Sequence, residues 1–178
     1  VDHGITGPLN LSEFRRSVPV RTAEEYSRYL EAIAQGTPRV ATRRAPTMLV
    51  ETSGTTNAPK RLPVTAAWAE SVQLAQRLWT LALVRDHPNV AGGKAFTFVS
   101  PAVHDRSLGG LPVGSNTGRI RAAQPFWLRS RYAVPVEVMN IEDSVARQYA
   151  ALRFGLAADV RSITTANPSL VLLLFRRV

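Results

Sequence analysis

The chain has 178 residues, of which 45% are hydrophobic and 20% are charged, a globular composition that excludes a disordered chain. It contains no cysteine, which excludes disulfide frameworks, thiolate metal sites and thiol nucleophiles. The net charge is +9, and of the 22 basic residues only Lys60 and Lys94 are lysines. Because the first residue is Val1 and not methionine, we expect either that an upstream segment was removed or that this is part of a longer chain.

The basic charge does not form a pattern typical of nucleic-acid binding. Arginine pairs occur, but there is no run of five or more basic residues and no aromatic signature of an RNA-binding motif. We therefore expect solvated surface arginines and no nucleic-acid partner, while nucleotides and other acidic small molecules stay compatible with the charge. The apolar run 170–175 is too short for a membrane span and no secretory signal is visible, so we expect a cytoplasmic protein without a membrane partner.

Two helices are predicted in the first 36 residues. Ser12 is a plausible N-cap for a short helix that ends before Pro19. Thr22 and Glu25 have the spacing of a capping box, which predicts the start of a second helix at that point. Gly36 is the expected end of the second helix, because glycine is the residue that most readily adopts the left-handed conformation there.

Strands and helices alternate through the rest of the chain. Thr65 is expected to cap a long helix, Asp143 or Ser144 to begin another, and the Asn-Pro pair at 167–168 to begin an apolar last helix. The predicted strands are residues 47–50, 95–99 and 160–164. This alternation predicts an α/β fold in which helices flank a mainly parallel sheet.

A polar segment directly follows the first predicted strand and has the chemistry of an anion cradle. It combines hydroxyl side chains, a glycine that allows close backbone approach, and a lysine that can pair with phosphate. It is not a Walker A loop, since Pro59 precedes the lysine and Arg61 follows it. From the residue types alone, a solvent-exposed turn between two strands remains an alternative. The candidate binding residues are Thr52, Ser53, Gly54, Thr55, Thr56 and Lys60.

The order of residues in this segment resembles the phosphate-binding motif of the adenylate-forming superfamily, which includes acyl-CoA synthetases, luciferases and nonribosomal adenylation domains. The flanking segments narrow the resemblance to the auxin-responsive Gretchen-Hagen-three-type acyl-acid amido synthetases, in their bacterial branch. The three segments that carry the resemblance are residues 14–22, 51–65 and 109–115. The second is specific to the superfamily, and the combination of all three is specific to the family.

The resemblance implies a ligase that uses ATP and magnesium to adenylate a carboxylic acid and then passes the acyl group to an amine, usually that of an amino acid. It implies that the Ser/Thr hydroxyls of the motif contact the β- and γ-phosphates and that Lys60 acts as a catalytic residue near the leaving pyrophosphate. It further implies a wall of the acyl-acid pocket at Gly109, Gly110 and Ser115. Asn57 departs from the family, which usually has glycine there, and this puts the mobility of the loop in doubt.

The resemblance also implies a fold that is incomplete in these residues. We expect residues 1–178 to be part of the large N-terminal adenylating domain, with the later motifs and the small C-terminal domain beyond Val178. Alone, these residues are expected to be catalytically silent or nearly so. The alternatives that stay open are a fragment of an acyl-CoA-type ligase and a non-catalytic module that binds a nucleotide or a carboxylate.

The sequence contains two further groups of residues that could indicate other chemistry, a hydrolase triad and a metal site. His104 and Asp105 lie near Ser107 and Ser115, which raises a hydrolase triad, but Val113 stands where a nucleophile elbow requires glycine. A polar loop is the favoured interpretation of this segment. The three histidines, His3, His87 and His104, have no metal-ligand spacing, so no protein-held metal is expected.

Overall fold

A computed structural model describes residues 5–22, 24–52 and 59–176 of the chain. Helices and strands alternate through these ranges, which confirms the α/β class. The helices are α1 (Leu11–Ser17), α2 (Ser27–Ala34), α3 (Ala66–Asp86), α4 (Asn116–Ala122), α5 (Ser144–Leu156) and α6 (Pro168–Phe175). The strands are β1 (Met48–Glu51), β2 (Arg61–Val64), β3 (Lys94–Thr97), β4 (Asp105–Arg106), β5 (Pro112–Gly114) and β6 (Val160–Thr164).

The strands form two small sheets whose pairing is mixed, which corrects the expectation of a mainly parallel sheet. One sheet has the order β2-β1-β5-β4, and the other pairs β3 with β6. The β1–β5 and β3–β6 pairs are parallel, whereas β1–β2 and β4–β5 are antiparallel. The connections 52–60 and 107–111 explain the antiparallel pairs, because a parallel crossover needs about a dozen residues or more.

The helix at the start of the chain begins earlier than predicted. Asn10, and not Ser12, is its N-cap: the Asn10 side chain accepts from the Glu13 backbone, and the Glu13 side chain accepts from the Asn10 backbone. This reciprocal pair is a complete capping box. The helix stops before Pro19, as predicted, with Val18 as its C-cap.

Helix α2 starts later than predicted and ends as predicted. The Thr22 N–H donates to the Glu25 carboxylate at 2.7 Å, but residues 24–26 form a 3-10 turn before the helix proper. At the other end Gly36 has a φ of +101°, and its N–H donates to the Ile33 carbonyl. The Thr37 N–H donates to the Ala32 carbonyl, which completes a Schellman motif.

The core consists of separate small clusters. Ile33 on α2 packs against Leu49 on β1 and Val113 on β5, and all three are at most 1% exposed. The largest cluster lies around Phe96 on β3 and joins that strand to α5 and α6. Its other buried members are Ala133, Val134, Val138, Met139, Ala151 and Leu174.

Helix α3 is the long helix predicted after the motif, and the Thr65 side chain caps it by accepting from the Trp68 N–H. None of its 21 residues is buried in the part of the chain that the structure describes. No described helix is long and apolar enough to cross a membrane.

Candidate functional site

The predicted phosphate loop joins the carboxyl end of β1 to the start of β2. The Thr52 N–H donates to the Lys60 carbonyl at 3.0 Å, so the two ends of the loop lie side by side. In an α/β sheet the carboxyl ends of parallel strands are the usual place for a ligand, and β1 is parallel to β5. The candidate residues Ser53, Gly54, Thr55 and Thr56, together with Asn57, lie outside the described residues, so their roles stay predictions.

Lys60, the predicted catalytic residue, is held by a carboxylate that sequence reasoning did not find. Its Nζ lies 3.1 Å from Oε1 of Glu24, in the 3-10 turn before α2. A hydrogen bond with its own backbone lowers the pKa of Glu24, and the hydrogen bond and charge of Lys60 lower that pKa further. The carboxylate is therefore ionised at neutral pH. The two residues are 36 positions apart in the chain, a separation at which no local spacing rule signals a contact.

A second group of charged side chains ties the base of the loop to the sheet. Arg61 donates from Nε to Glu51 at 3.0 Å and from Nη2 to Asp105 at 2.9 Å. These carboxylates raise the pKa of Arg61, with the hydrogen bond to Glu51 as the largest cause. His104 Nε2 lies 3.0 Å from the other carboxylate oxygen of Glu51. The network therefore links β1, β2 and β4 at the point where the loop leaves the sheet.

Part of this network was accessible to sequence reasoning. Glu51 and Arg61 are direct cross-strand partners in the β1–β2 register. Opposite charges at the two ends of a short connection are a signal for a hairpin pair, because cross-strand partners of opposite charge stabilise each other. The signal was missed because β2 contains Pro63, which usually argues against a strand; here the strand lies at the edge of its sheet.

The hydrolase arrangement receives no support from the described contacts. His104 contacts Glu51, as above, and not a serine. The Ser107 hydroxyl accepts from the Leu111 N–H, and the Ser115 hydroxyl donates to the Ser100 carbonyl. The serines are used in local turns, in agreement with the favoured interpretation as a polar loop.

The three residues predicted to wall a substrate pocket lie at two places in the fold. Gly109 donates from its N–H to the Ala34 carbonyl at 2.8 Å, at the end of α2, and Gly110 turns the β4–β5 hairpin with a φ of +81°. Ser115 caps α4 by accepting from the Gly118 N–H. Each residue thus has a structural role, and its part in a substrate pocket stays a prediction.

Comparison with known proteins gives a consistent picture. A jasmonoyl–L-amino acid synthetase, GH3.3, of Oryza sativa subsp. japonica is 27% identical over 97% of this chain and 39% of its own length. An indole-3-acetic acid-amido synthetase, GH3.10, of Arabidopsis thaliana is 29% identical over 80% of this chain and 25% of its own length. The chain therefore spans well under half the length of these curated relatives.

Solved structures show the same relationship at the level of the fold. The acyl acid amido synthetase AtGH3.15, solved in complex with 2,4-DB, superposes with a TM-score of 0.78 and 22% sequence identity. The match covers 96% of this chain and 30% of the solved chain. The family model described as the GH3 family N-terminal domain matches residues 1–178. The chain therefore belongs to the GH3 family, and its residues match the N-terminal domain of that family.

Proposed function

We propose that the protein adenylates a carboxylic acid with ATP and transfers the acyl group to an amine, as an acyl-acid amido synthetase. The observation that carries this proposal is the loop 52–60, which follows the carboxyl end of β1 and ends at the partly exposed Lys60, directly before β2. The printed names of the relatives, which are amido synthetases for jasmonate and indole-3-acetic acid, support the reaction class. The names of the relatives do not identify the acid or the amine that this protein uses.

The described residues are compatible with a bound triphosphate. The side chain of Lys60 is 40% exposed, so its ammonium can meet a phosphate group from solvent. Lysine acts as a mobile point charge toward phosphate oxygens. In the described ranges no group of three His, Asp or Glu side chains could hold a metal ion. Magnesium would be held by phosphate oxygens, water and one or two carboxylates outside the described residues, which is the usual coordination of this ion.

In this reaction the residues of the chain would position the reactants and stabilise the charge that develops. In the first step a carboxylate oxygen of the acid forms a bond to the α-phosphorus of ATP, and the bond to pyrophosphate breaks. Lys60 would stabilise the charge that builds on the leaving pyrophosphate. The Thr52–Lys60 backbone bond keeps the lysine beside the loop, which lowers the entropy cost of the arrangement. In the second step the amine displaces AMP from the acyl group.

We place the remaining parts of the site outside the described residues. The chain accounts for 30% of the solved amido synthetase it matches, so residues 1–178 would supply the phosphate-binding part of a larger adenylating domain. The adenine, ribose and acyl-acid contacts would come largely from elsewhere in such a protein. A cytoplasmic location is part of this proposal, since ATP and amino acids are abundant there.

Acid-dependent exchange of labelled pyrophosphate into ATP tests the proposed reaction in the full-length gene product that carries these residues. We expect exchange with at least one member of a broad carboxylic acid panel. Lys60→Ala should slow this exchange on the order of tenfold or more, because it removes the protein cation that would stabilise charge on the leaving pyrophosphate. Lys94 is the only other lysine and is exposed on β3. Lys94→Ala is therefore the matched control and should leave the rate unchanged.

The outcomes separate the possible functions. Absence of exchange across the panel would overturn the adenylation proposal. Exchange that is indifferent to Lys60→Ala would remove the catalytic role of that residue. If exchange occurs, product analysis with amino acids against coenzyme A distinguishes an amide ligase from an acyl-CoA ligase.

A further inference from the structure

The Lys60–Glu24 pair joins two segments that are 36 residues apart in the chain. Lys60 is the last residue of the phosphate loop, directly before β2, and Glu24 lies in the turn that leads into α2. The pair has an Nζ–Oε1 distance of 3.1 Å, which is within hydrogen-bond range for a charged pair. In the described residues no other ion pair involves Lys60.

The position of Glu24 is fixed by the packing of the helix that follows it. Ile33 on α2 is 1% exposed and packs on Leu49 and Val113, which lie on the central strands of the sheet. The Thr22–Glu25 hydrogen bond and the Arg21–Glu25 pair order the turn itself. A carboxylate on an ordered turn can restrain the position of the lysine ammonium group that it binds.

The chemistry of lysine allows this carboxylate and a phosphate to be bound together. An ammonium group has three N–H donors, and Glu24 occupies one of them, so two remain for phosphate oxygens. The lysine side chain otherwise has several rotatable bonds, and ordering them is entropically unfavourable. An orienting carboxylate reduces that cost before the nucleotide arrives, and protein kinases likewise need a lysine–glutamate ion pair in place.

We propose that Glu24 is a positioning residue that holds the Lys60 ammonium in place for the leaving pyrophosphate. This inference rests on the proposed adenylation reaction. Glu24 acts through Lys60 and touches no reacting atom. In the opposite role, the carboxylate competes with phosphate for the lysine, and Glu24→Gln alone would then leave the exchange rate unchanged or raise it.

The test is pyrophosphate exchange by the full-length gene product with Glu24→Gln, which keeps the size of the side chain and removes its charge. Because exposed ion pairs contribute modestly, we expect the maximal exchange rate to fall roughly two- to fivefold, with little change in the KM for ATP. Glu24→Asp should restore part of the rate. Glu31→Gln, an equal change of charge at an exposed position on α2, should have no effect.

A merely structural role is excluded by combining the variants. In the Lys60→Ala background, Glu24→Gln should cause no further loss, because the group that it positions is already absent. Additive losses would overturn the proposal, and so would an unchanged or faster rate in Glu24→Gln alone. If wild-type exchange is dependent on Lys60 but indifferent to Glu24, only the positioning role fails. If wild type shows no exchange, the proposed reaction fails, and this role fails with it.

Discussion

Gly109 lies directly against the backbone at the end of helix α2, in a place where a side chain has no room. A Cβ at this position would meet the backbone N and Cα of Gly36 and would lie 2.8 Å from the carbonyl carbon of Gln35. Gly36 in turn needs its φ of +101° to end the helix. Gly36 and Gly109 therefore let the β4–β5 hairpin dock on the C-terminal end of α2.

Gly109→Ala should lower the free energy of unfolding by about 1–3 kcal/mol, the usual cost of forcing an extra methyl group into a packed contact. Chemical denaturation followed by circular dichroism measures this change. Gly7→Ala is the matched control, because a Cβ there meets nothing within 4 Å, and its midpoint should stay within error of wild type. Equal midpoints for the two variants would show that the hairpin does not depend on this contact.

The element on which the candidate site stands is the β1–β2 hairpin, and its two strands are held by the Glu51–Arg61–Asp105 network. Arg61→Gln removes both ion pairs and should lower Tm by about 2–4 °C at neutral pH. Thermal melts of wild type and variant across pH give the second readout. Arg77→Gln, an exposed arginine on α3 without an ion pair in the described contacts, controls for the loss of charge.

The direction of the pH effect follows from Asp105. Its pKa is lowered from 3.8, first by a hydrogen bond from the Arg106 backbone and then by Arg61. A carboxylate with a lowered pKa in the folded state contributes stability that is present above its unfolded pKa and is lost as the pH falls through the folded value. The difference between wild type and Arg61→Gln should therefore shrink in acid. A difference that grows on acidification would contradict the network.

Elements with strong local signals could be predicted from the sequence, and pairings between distant segments could not. Gly36, Thr65 and Asp143 end or begin helices as expected, because glycine stops and N-caps act within one turn. Strands β4 and β5 were missed in a glycine-rich stretch, since strands of two or three residues have too few positions to show a period. The prediction of the α/β class is still correct, because it depends on the longer helices and on the strands that were identified.

The candidate site divides in the same way. The loop 52–60 could be identified because its residue order is itself the signal. Its orienting partner Glu24 could not, because the contact depends on how α2 packs against the sheet through Ile33. Tertiary packing of this kind leaves no pattern at a fixed spacing in the chain.

At the scale of the whole molecule, the described fold leaves large apolar surfaces in solvent. Helix α3 exposes Leu78 by 59%, Trp79 by 50% and Leu81 by 67%, although helices of this length usually bury one face. Trp79 also lines an apolar groove with Ile163 and Leu172, next to the leucine-rich helix α6. Contiguous apolar surface of this kind is a site of association when nothing covers it.

We therefore expect the 178-residue polypeptide, produced alone, to bind a hydrophobic dye such as ANS and to self-associate with rising concentration. Light scattering coupled to gel filtration measures the association. Replacing Leu78 and Leu81 with Gln should reduce both signals and keep the helical circular dichroism, because neither side chain is buried. Leu108→Gln, at a position that is 94% exposed on the β4–β5 hairpin and away from α3, should change little. A monodisperse monomer without dye binding would mean that α3 is covered in solution and does not expose an apolar face.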